Sequence, residues 1–309
     1  MVTKVFRGGE KKPPRIVIYG PPKVGKTTFG SAAPAPIFVT TEDGVSNVPV
    51  DQYPKAESWD DVVNNLTEIA KGPHSFRSVV VDTLNGAAEL CARKLCATLY
   101  GGRWEAQKGA EGFLSYGKGW AAVSEEMRQV LPLLDACRDR GMTVLLLAHT
   151  GLLNVKNPIY GEFQKFAPEL DKRVWARFSA WADIIGRADY DYVVVGARPE
   201  EGKRGRAAGS NTRVLIFGGS AAEDAGCRVG YELPEQIGFM WEEFASLLGG
   251  KGTMVDSVRS GWSVLTPEEA GKTLAFLGVT SLEAIDSAAP QKLAQIANRL
   301  KAKSAAKAA

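Results

Sequence analysis

The chain has 309 residues, 45% of them hydrophobic and 24% charged, with a formal net charge of +3. That length accommodates one large domain plus an appendage. The ordinary globular composition excludes collagen, mucin and coiled-coil classes and supplies enough apolar mass for a sizeable core. No apolar run approaches the ~20 residues needed to cross a bilayer, and the N-terminal stretch MVTKVFRGGEKKPPR lacks the apolar centre of a signal peptide. A cytoplasmic protein with no membrane contact is therefore expected. Cys91, Cys96, Cys137 and Cys227 form no CxxC pair, and His74 and His149 are the only histidines, so neither a zinc set nor a disulfide framework is expected. The cysteines read as reduced core filler. Charge is uneven along the chain: residues 1–26 carry seven Lys/Arg against one Glu, and residues 251–309 carry eight basic against five acidic residues. Basic ends flank an acidic body, an arrangement that suits phosphate backbones or solvated tails equally.

After a basic arm over residues 1–14, residues 15–19 (RIVIY) read as a short buried strand. It runs into a Gly/Pro turn and a helix opening near Lys26. Further strands are expected at 36–41 (PIFVTT), 78–82 (SVVVD) and 143–148 (TVLLLA), with helices over 58–71, 84–99 and 119–140. Strands alternating with helices predict an α/β fold with a mostly parallel central sheet and helices on both faces. Residues 190–197 (YDYVVVGA) and 212–217 (TRVLIF) flank a basic, Gly-rich connection containing Lys203, Arg204 and Arg206, and predict an antiparallel hairpin extending that sheet. The core is expected to span 15–248, followed by a Gly/Ser-rich linker over 249–263. Thr266-Pro267-Glu268-Glu269 then supplies a capping Thr, Pro at the first helical position and Glu at the third. With Gly278 as a stop and a second helix over 290–303, residues 264–309 are expected to be a small helical appendage with a Lys/Ala tail.

Gly20-Pro21-Pro22-Lys23-Val24-Gly25-Lys26-Thr27, with Thr28 following, fits G-x-x-x-x-G-K-[ST] in the required context, after a strand and before a helix. The glycines let the backbone curl so that successive amides face phosphate oxygens. Lys26 should reach the β- and γ-phosphates and Thr27 should ligate Mg²⁺. Asp82 ends the apolar run Val79-Val80-Val81 and supplies the carboxylate that a phosphate-bound Mg²⁺ needs. Thr83 follows it where many water-using ATPases carry Glu, so a hydrolytic acid must come from elsewhere. Glu42, at the carboxyl end of the 36–41 strand, can hold a water in line with the terminal phosphate, and Asp43 is its rival. His149, with Thr150, ends the 143–148 strand and is placed to sense the terminal phosphate.

GPPKVGKTT, a strand ending in Glu42, SVVVD and a strand ending in a polar pair, in that order, resemble the RecA-like ATPase core. IFVTTEDG, SVVVDTL, LLLAHT and CRVGYELPEQI more narrowly resemble phage-encoded RecA-like ATP-binding proteins of the single-strand annealing group, over residues 15–244. The resemblance implies a RecA-like P-loop core, ATP and Mg²⁺, a homo-oligomer (ring or filament), single-stranded DNA as substrate, and a single-stranded DNA-binding protein as a further partner. It also implies that Arg228 directs a cation across a subunit interface, although Gly226 stands where a partner Lys is expected. In RecA-like proteins the loops after two of these strands face DNA. The matching stretches here are 103–120, with Arg103, Lys108 and Lys118 among Trp104, Phe113, Tyr116 and Trp120, and 151–168, with Lys156 and Lys165 among Tyr160, Phe163 and Phe166. Cations that track phosphates and aromatics that stack bases are what single-stranded DNA binding requires; local packing of the aromatics is the alternative. Two other readings share the phosphate loop: a small-molecule kinase, and a nucleotide-gated replication scaffold that does not hydrolyse.

Overall fold

A computed structural model describes residues 12–45, 47–105, 111–159, 161–196, 206–228, 233–248, 255, 258–259, 261–289, 292–293, 295–297, 299–300 and 303. The apolar run RIVIYG forms β1 (Arg15–Gly20), followed by β2 (Pro36–Thr40), β3 (Asp51–Gln52), β4 (Ser78–Asp82) and β5 (Thr143–Asn157). The remaining strands are β6 (Gly161–Pro168), β7 (Ile184–Val195), β8 (Arg206–Ile216), β9 (Gly226–Cys227) and β10 (Gln236–Gly238). They lie in the order β10-β8-β7-β1-β5-β4-β2-β3, with β6 paired to β5 and β9 to β7. Strands β7 through β3 are parallel, and β8 and β10 add antiparallel edges. This is an α/β fold with a mostly parallel central sheet and helices on both faces.

Alternation along each strand sends side chains to two cores, as a sheet buried on both faces requires. Val17, Tyr19, Val79, Val81, Val144 and Leu146 point into one cluster, covered by α2 (Trp59–Lys71), α3 (Leu84–Tyr100), α4 (Lys118–Met127), α5 (Val130–Asp139) and α6 (Lys172–Trp181). Ile16, Ile18, Val80, Leu145 and Leu147 point into the other, with Phe29 of α1 (Lys26–Ser31) and Trp241 and Phe244 of α7 (Trp241–Leu248).

Helix α8 (Pro267–Leu277) starts where the sequence expects: the Thr266 hydroxyl accepts the Glu269 amide and the Glu269 side chain returns to the Thr266 amide, and Gly278 closes it in the left-handed region at φ 74°. The appendage is not a separate body. Leu277, Ile285, Leu293, Ile296 and Leu300 share the second core with Phe29 and Leu215.

Four expectations are corrected. The helix expected over 119–140 breaks into α4 and α5, because Pro132 offers no amide and its ring opposes the carbonyl four residues back; the junction uses i→i−3 bonds from Arg128, Gln129 and Leu131. The expected linker holds Val255 and Val258, which are helical and buried in the second core. Cys227 is exposed, unlike the three buried cysteines. Residues 151–168 do not form a loop: β5 continues past Ala148 and folds back as β6 in register from Thr150↔Pro168 to Asn157↔Gly161. The hairpin base is tied to the sheet by Tyr19, whose hydroxyl donates to the Phe166 carbonyl at 3.1 Å, and by the Arg187 guanidinium 4.6 Å above the Phe166 ring.

Candidate functional site

Parallel pairing brings the carboxyl ends of β1, β5, β4 and β2 into line, with Gly20 opposite His149, Leu147 opposite Asp82, and Asp82 opposite Thr40. Ligands of open α/β sheets collect at such an edge. The chain leaves β1 through the 20–27 loop. Gly20 is required by packing, since a Cβ there would stand 2.5 Å from the Ala188 carbonyl oxygen, and Gly25 by conformation, at φ +104°.

Lys26, 6% exposed, donates to the carbonyl oxygens of Gly20 at 2.9 Å and Pro21 at 3.0 Å. Burial lowers its pKa, against the pull of Asp82 and Glu42. An ammonium resting on neutral carbonyls can exchange them for phosphate oxygens, a stronger partner. The Thr27 hydroxyl donates to Asp82 Oδ2 at 2.7 Å. Burial pushes the Asp82 carboxyl up, an effect that the Thr27 hydrogen bond opposes. A hydroxyl and a buried carboxylate in contact beside a phosphate loop are hard oxygen donors of the kind Mg²⁺ takes alongside phosphate, so the residues present fit that ion.

Glu42 lies just past β2 and is clamped from two sides. The Thr83 hydroxyl donates to its Oε1 at 2.5 Å, and His149 Nε2 stands 3.0 Å from its Oε2. The carboxyl is held below the ordinary Glu range, first by the His149 hydrogen bond, with burial opposing and Thr83 and Lys26 assisting. Asp43 turns to solvent and pairs with Lys55 at 2.9 Å, so of the two acids it is Glu42 that reaches Thr83 and His149. The backbone of His149 is fixed by Asn85, which accepts its amide at 2.8 Å and donates to the Glu169 carbonyl at 2.6 Å. His149 Nδ1 and Thr150 Oγ1 are buried without a hydrogen-bond partner among the described residues.

Thr83 and Asn85 were not among the sequence candidates. The signal for Thr83 was available: it is the N-cap of α3, accepting the Gly86 amide, directly after the strand-ending Asp82.

Arg228 is placed elsewhere. Its amide donates to the Asp183 carbonyl at 2.8 Å, its guanidinium donates to the Ala180 carbonyl, and its Nε lies 3.8 Å from Asp183 Oδ1. Cys227 pairs with Ile184, which pairs with Ile16. Arg228, one residue on and level with Arg15, therefore sits at the start of β1, about 16 Å along the strand from Gly20 at ~3.3 Å per residue, and does not join the phosphate site of its own chain.

The expected DNA-facing aromatics are corrected in part. Phe113 is fully buried and makes edge contacts with Tyr100, Trp104 and Trp120 at 5.7, 4.8 and 5.6 Å. Tyr116 remains 91% exposed. Arg103 is exposed, Lys118 pairs with Glu111 at 2.8 Å, and Lys108 lies outside the described residues. On the β5–β6 hairpin, Lys156 pairs with Glu162 at 3.1 Å at the exposed end. Phe163 is half-buried, Lys165 pairs with Asp224 at 3.3 Å near the base, and Tyr160 lies outside the described residues, as do Lys203 and Arg204. Leu152 and Ile159 are exposed on the same hairpin.

A family profile described as an AAA domain (AAA_24) matches residues 12–229, which carry the phosphate loop, Glu42, Asp82 and His149. The chain belongs to this AAA-domain family. The chain is also 27% identical over 191 residues to the SPbeta prophage-derived uncharacterized protein YorG of Bacillus subtilis (strain 168). That match covers 60% of the chain and 52% of YorG, so the chain spans about half the length of that relative. Among solved structures it is similar to the RadB recombinase, at 14% identity and TM-score 0.36, over 66% of this chain and 80% of that one. It is also similar to the flagellar accessory protein FlaH of Methanocaldococcus jannaschii, at 8% identity and TM-score 0.32, over 72% and 92% of the two chains. Likenesses of that size assign no activity. Among the described residues of the AAA domain, no helix is long and apolar enough to cross a membrane.

Proposed function

We propose that this AAA domain hydrolyses ATP with Mg²⁺, and that hydrolysis serves single-stranded DNA annealing or exchange by a homo-oligomer in phage recombination. The observation that carries the hydrolytic part is the clamp on Glu42, one strand end away from the Thr27–Asp82 pair. A carboxylate held ionised by two hydrogen-bonding neighbours is a weak base but a well-oriented acceptor. Its role is to fix a water in line with the terminal phosphate, more than to store its proton. Loop amides and Lys26 bind the phosphates. Thr27 and Asp82 would hold Mg²⁺, which neutralises charge on the phosphate oxygens when bound. His149, touching Glu42 and braced by Asn85 to the chain entering and leaving the hairpin, responds to the position of Glu42.

The DNA part is supported by the hairpin that β5 forms beyond His149, with exposed Lys156, Leu152 and Ile159. The phage setting is supported by the prophage-derived relative, and a cytoplasmic location follows from that reading.

The test is phosphate release from ATP with no added acceptor, with and without single-stranded DNA. Release stimulated by DNA is expected. ADP formation that requires a small-molecule acceptor, with the phosphoryl group recovered on that acceptor and no phosphate released, would replace this reading with a kinase, and tight ATP binding without turnover would replace it with a nucleotide-gated scaffold.

A further inference from the structure

The guanidinium of Arg213 lies against the phosphate loop from the side of β8. A Cβ built on Gly25 would stand 2.8 Å from Arg213 Nη1 and 3.8 Å from its Cζ, with Phe239 Cε1 at 4.0 Å. The placement comes from the fold. Arg213 pairs with Tyr190 of β7, and its carbonyl accepts the Phe239 amide at 3.0 Å. The Phe239 ring stacks on Phe29 of α1 at 4.7 Å and 12°. One aromatic contact therefore ties the strand that carries Arg213 to the helix that follows the loop. Arg213 is exposed, and among the described residues no carboxylate pairs with it.

Several other described arginines pair with carboxylates, Arg187 with Asp189 and Glu223, Arg15 with Asp183 and Arg177 with Glu125. A guanidinium in van der Waals contact with a glycine whose neighbouring amides face phosphate has a different fitting partner. Its planar fork matches phosphate oxygens in a bidentate manner. We infer that Arg213 is a second cationic contact to the phosphate chain of the bound nucleotide, made by the same subunit. Lys26 comes from the carbonyl side of the loop and Arg213 from the α-carbon side of Gly25. The inference rests on the nucleotide reading above and adds a residue to it.

The test measures binding of a fluorescent N-methylanthraniloyl ADP to the full chain, without turnover. Losing a charge-assisted hydrogen bond should raise Kd about tenfold or more in Arg213→Ala. Arg213→Lys should lie between that variant and the native chain, because the charge remains and the fork is lost. Raising salt should weaken the native chain more than Arg213→Ala, since screening acts on the contact removed. Unchanged melting temperatures exclude misfolding, and Lys26→Ala calibrates the site. If Lys26→Ala loses the probe while Arg213→Ala stays within twofold of native, the role of Arg213 is overturned and the nucleotide reading stands. If the native chain does not bind the probe, both fall.

Discussion

The Thr83 hydroxyl donates to Glu42 Oε1 at 2.5 Å while its oxygen accepts the Gly86 amide at 3.2 Å. One side chain thus caps α3 and orients the acid just past β2. Thr83→Val keeps the branched shape and removes both bonds. The expected outcome is a thermal stability loss of about 1 kcal/mol from the missing cap. A fall in kcat of about tenfold with little change in the KM for ATP is also expected, because orientation and not binding is lost. Thr83→Ser should restore both. A valine variant with native kcat would show that His149 alone positions Glu42.

Glu42→Gln is expected to bind ATP with near-native affinity and to lose steady-state phosphate release, whereas Asp43→Asn, altering a solvent-facing acid paired with Lys55, should turn over normally. Acid pH adds a check. Glu42 is depressed in the folded chain, principally by His149. Its contribution to stability is therefore present above the unfolded carboxylate range and is lost as pH falls through the lower folded value. Melting temperature should decline more steeply on acidification in the native chain than in Glu42→Gln. Parallel curves would mean that the Glu42 pair contributes nothing.

What the sequence made legible is what is local. The phosphate loop is eight contiguous residues, Asp82 ends an unbroken apolar run, and Glu42 directly follows the strand-like PIFVTT, so strand pattern alone put them at one edge. Arg213 was invisible because its position depends on pairing with Tyr190 and on the Phe239–Phe29 stack, which join residues distant in the chain. Aromatic content misled for the same reason. Phe113 looked available to DNA, yet its partners Tyr100 and Trp120 arrive from two helices. The 151–168 hairpin was hidden by its lysines and aromatics, although the turn glycine Gly161, at φ +85°, was a usable sign.

Single-stranded DNA affinity is expected to fall steeply with salt, because bound cations release counterions from the phosphate backbone. Lys156→Ala, at the exposed end of the hairpin, should flatten that slope. Lys165→Ala, whose charge is shared with Asp224 near the base, should change it less. Tyr160→Ala should weaken binding at nearly constant slope by removing a stacking face, with a smaller effect for the half-buried Phe163. Fluorescence anisotropy with a labelled oligonucleotide at several salt concentrations measures all four. Equal slopes for the two lysine variants would remove the hairpin end from the DNA reading.

Arg228 can act on a nucleotide only from a neighbouring subunit, since in its own chain it is held by Asp183 and the Ala180 carbonyl near the amino end of β1. Its side chain is 51% exposed and stands at the surface beside β9. An arginine reaching across an interface to the terminal phosphate stabilises transition-state charge and is worth about 10³-fold or more in rate. Arg228→Ala is therefore expected to bind ATP and to lose hydrolysis only in the assembled state. Mixing isolates the trans contribution. An Arg228→Ala subunit keeps an intact phosphate loop and a Lys26→Ala subunit keeps its arginine, so mixed assemblies should recover phosphate release that neither variant shows alone. Co-assembly is established by pulling down one tagged variant and detecting the other. Arg228→Lys, which preserves the charge beside Asp183, controls for local destabilisation. Full activity in Arg228→Ala, or a co-assembled mixture no faster than its parents, would leave Arg228 as a brace for Asp183 and nothing more.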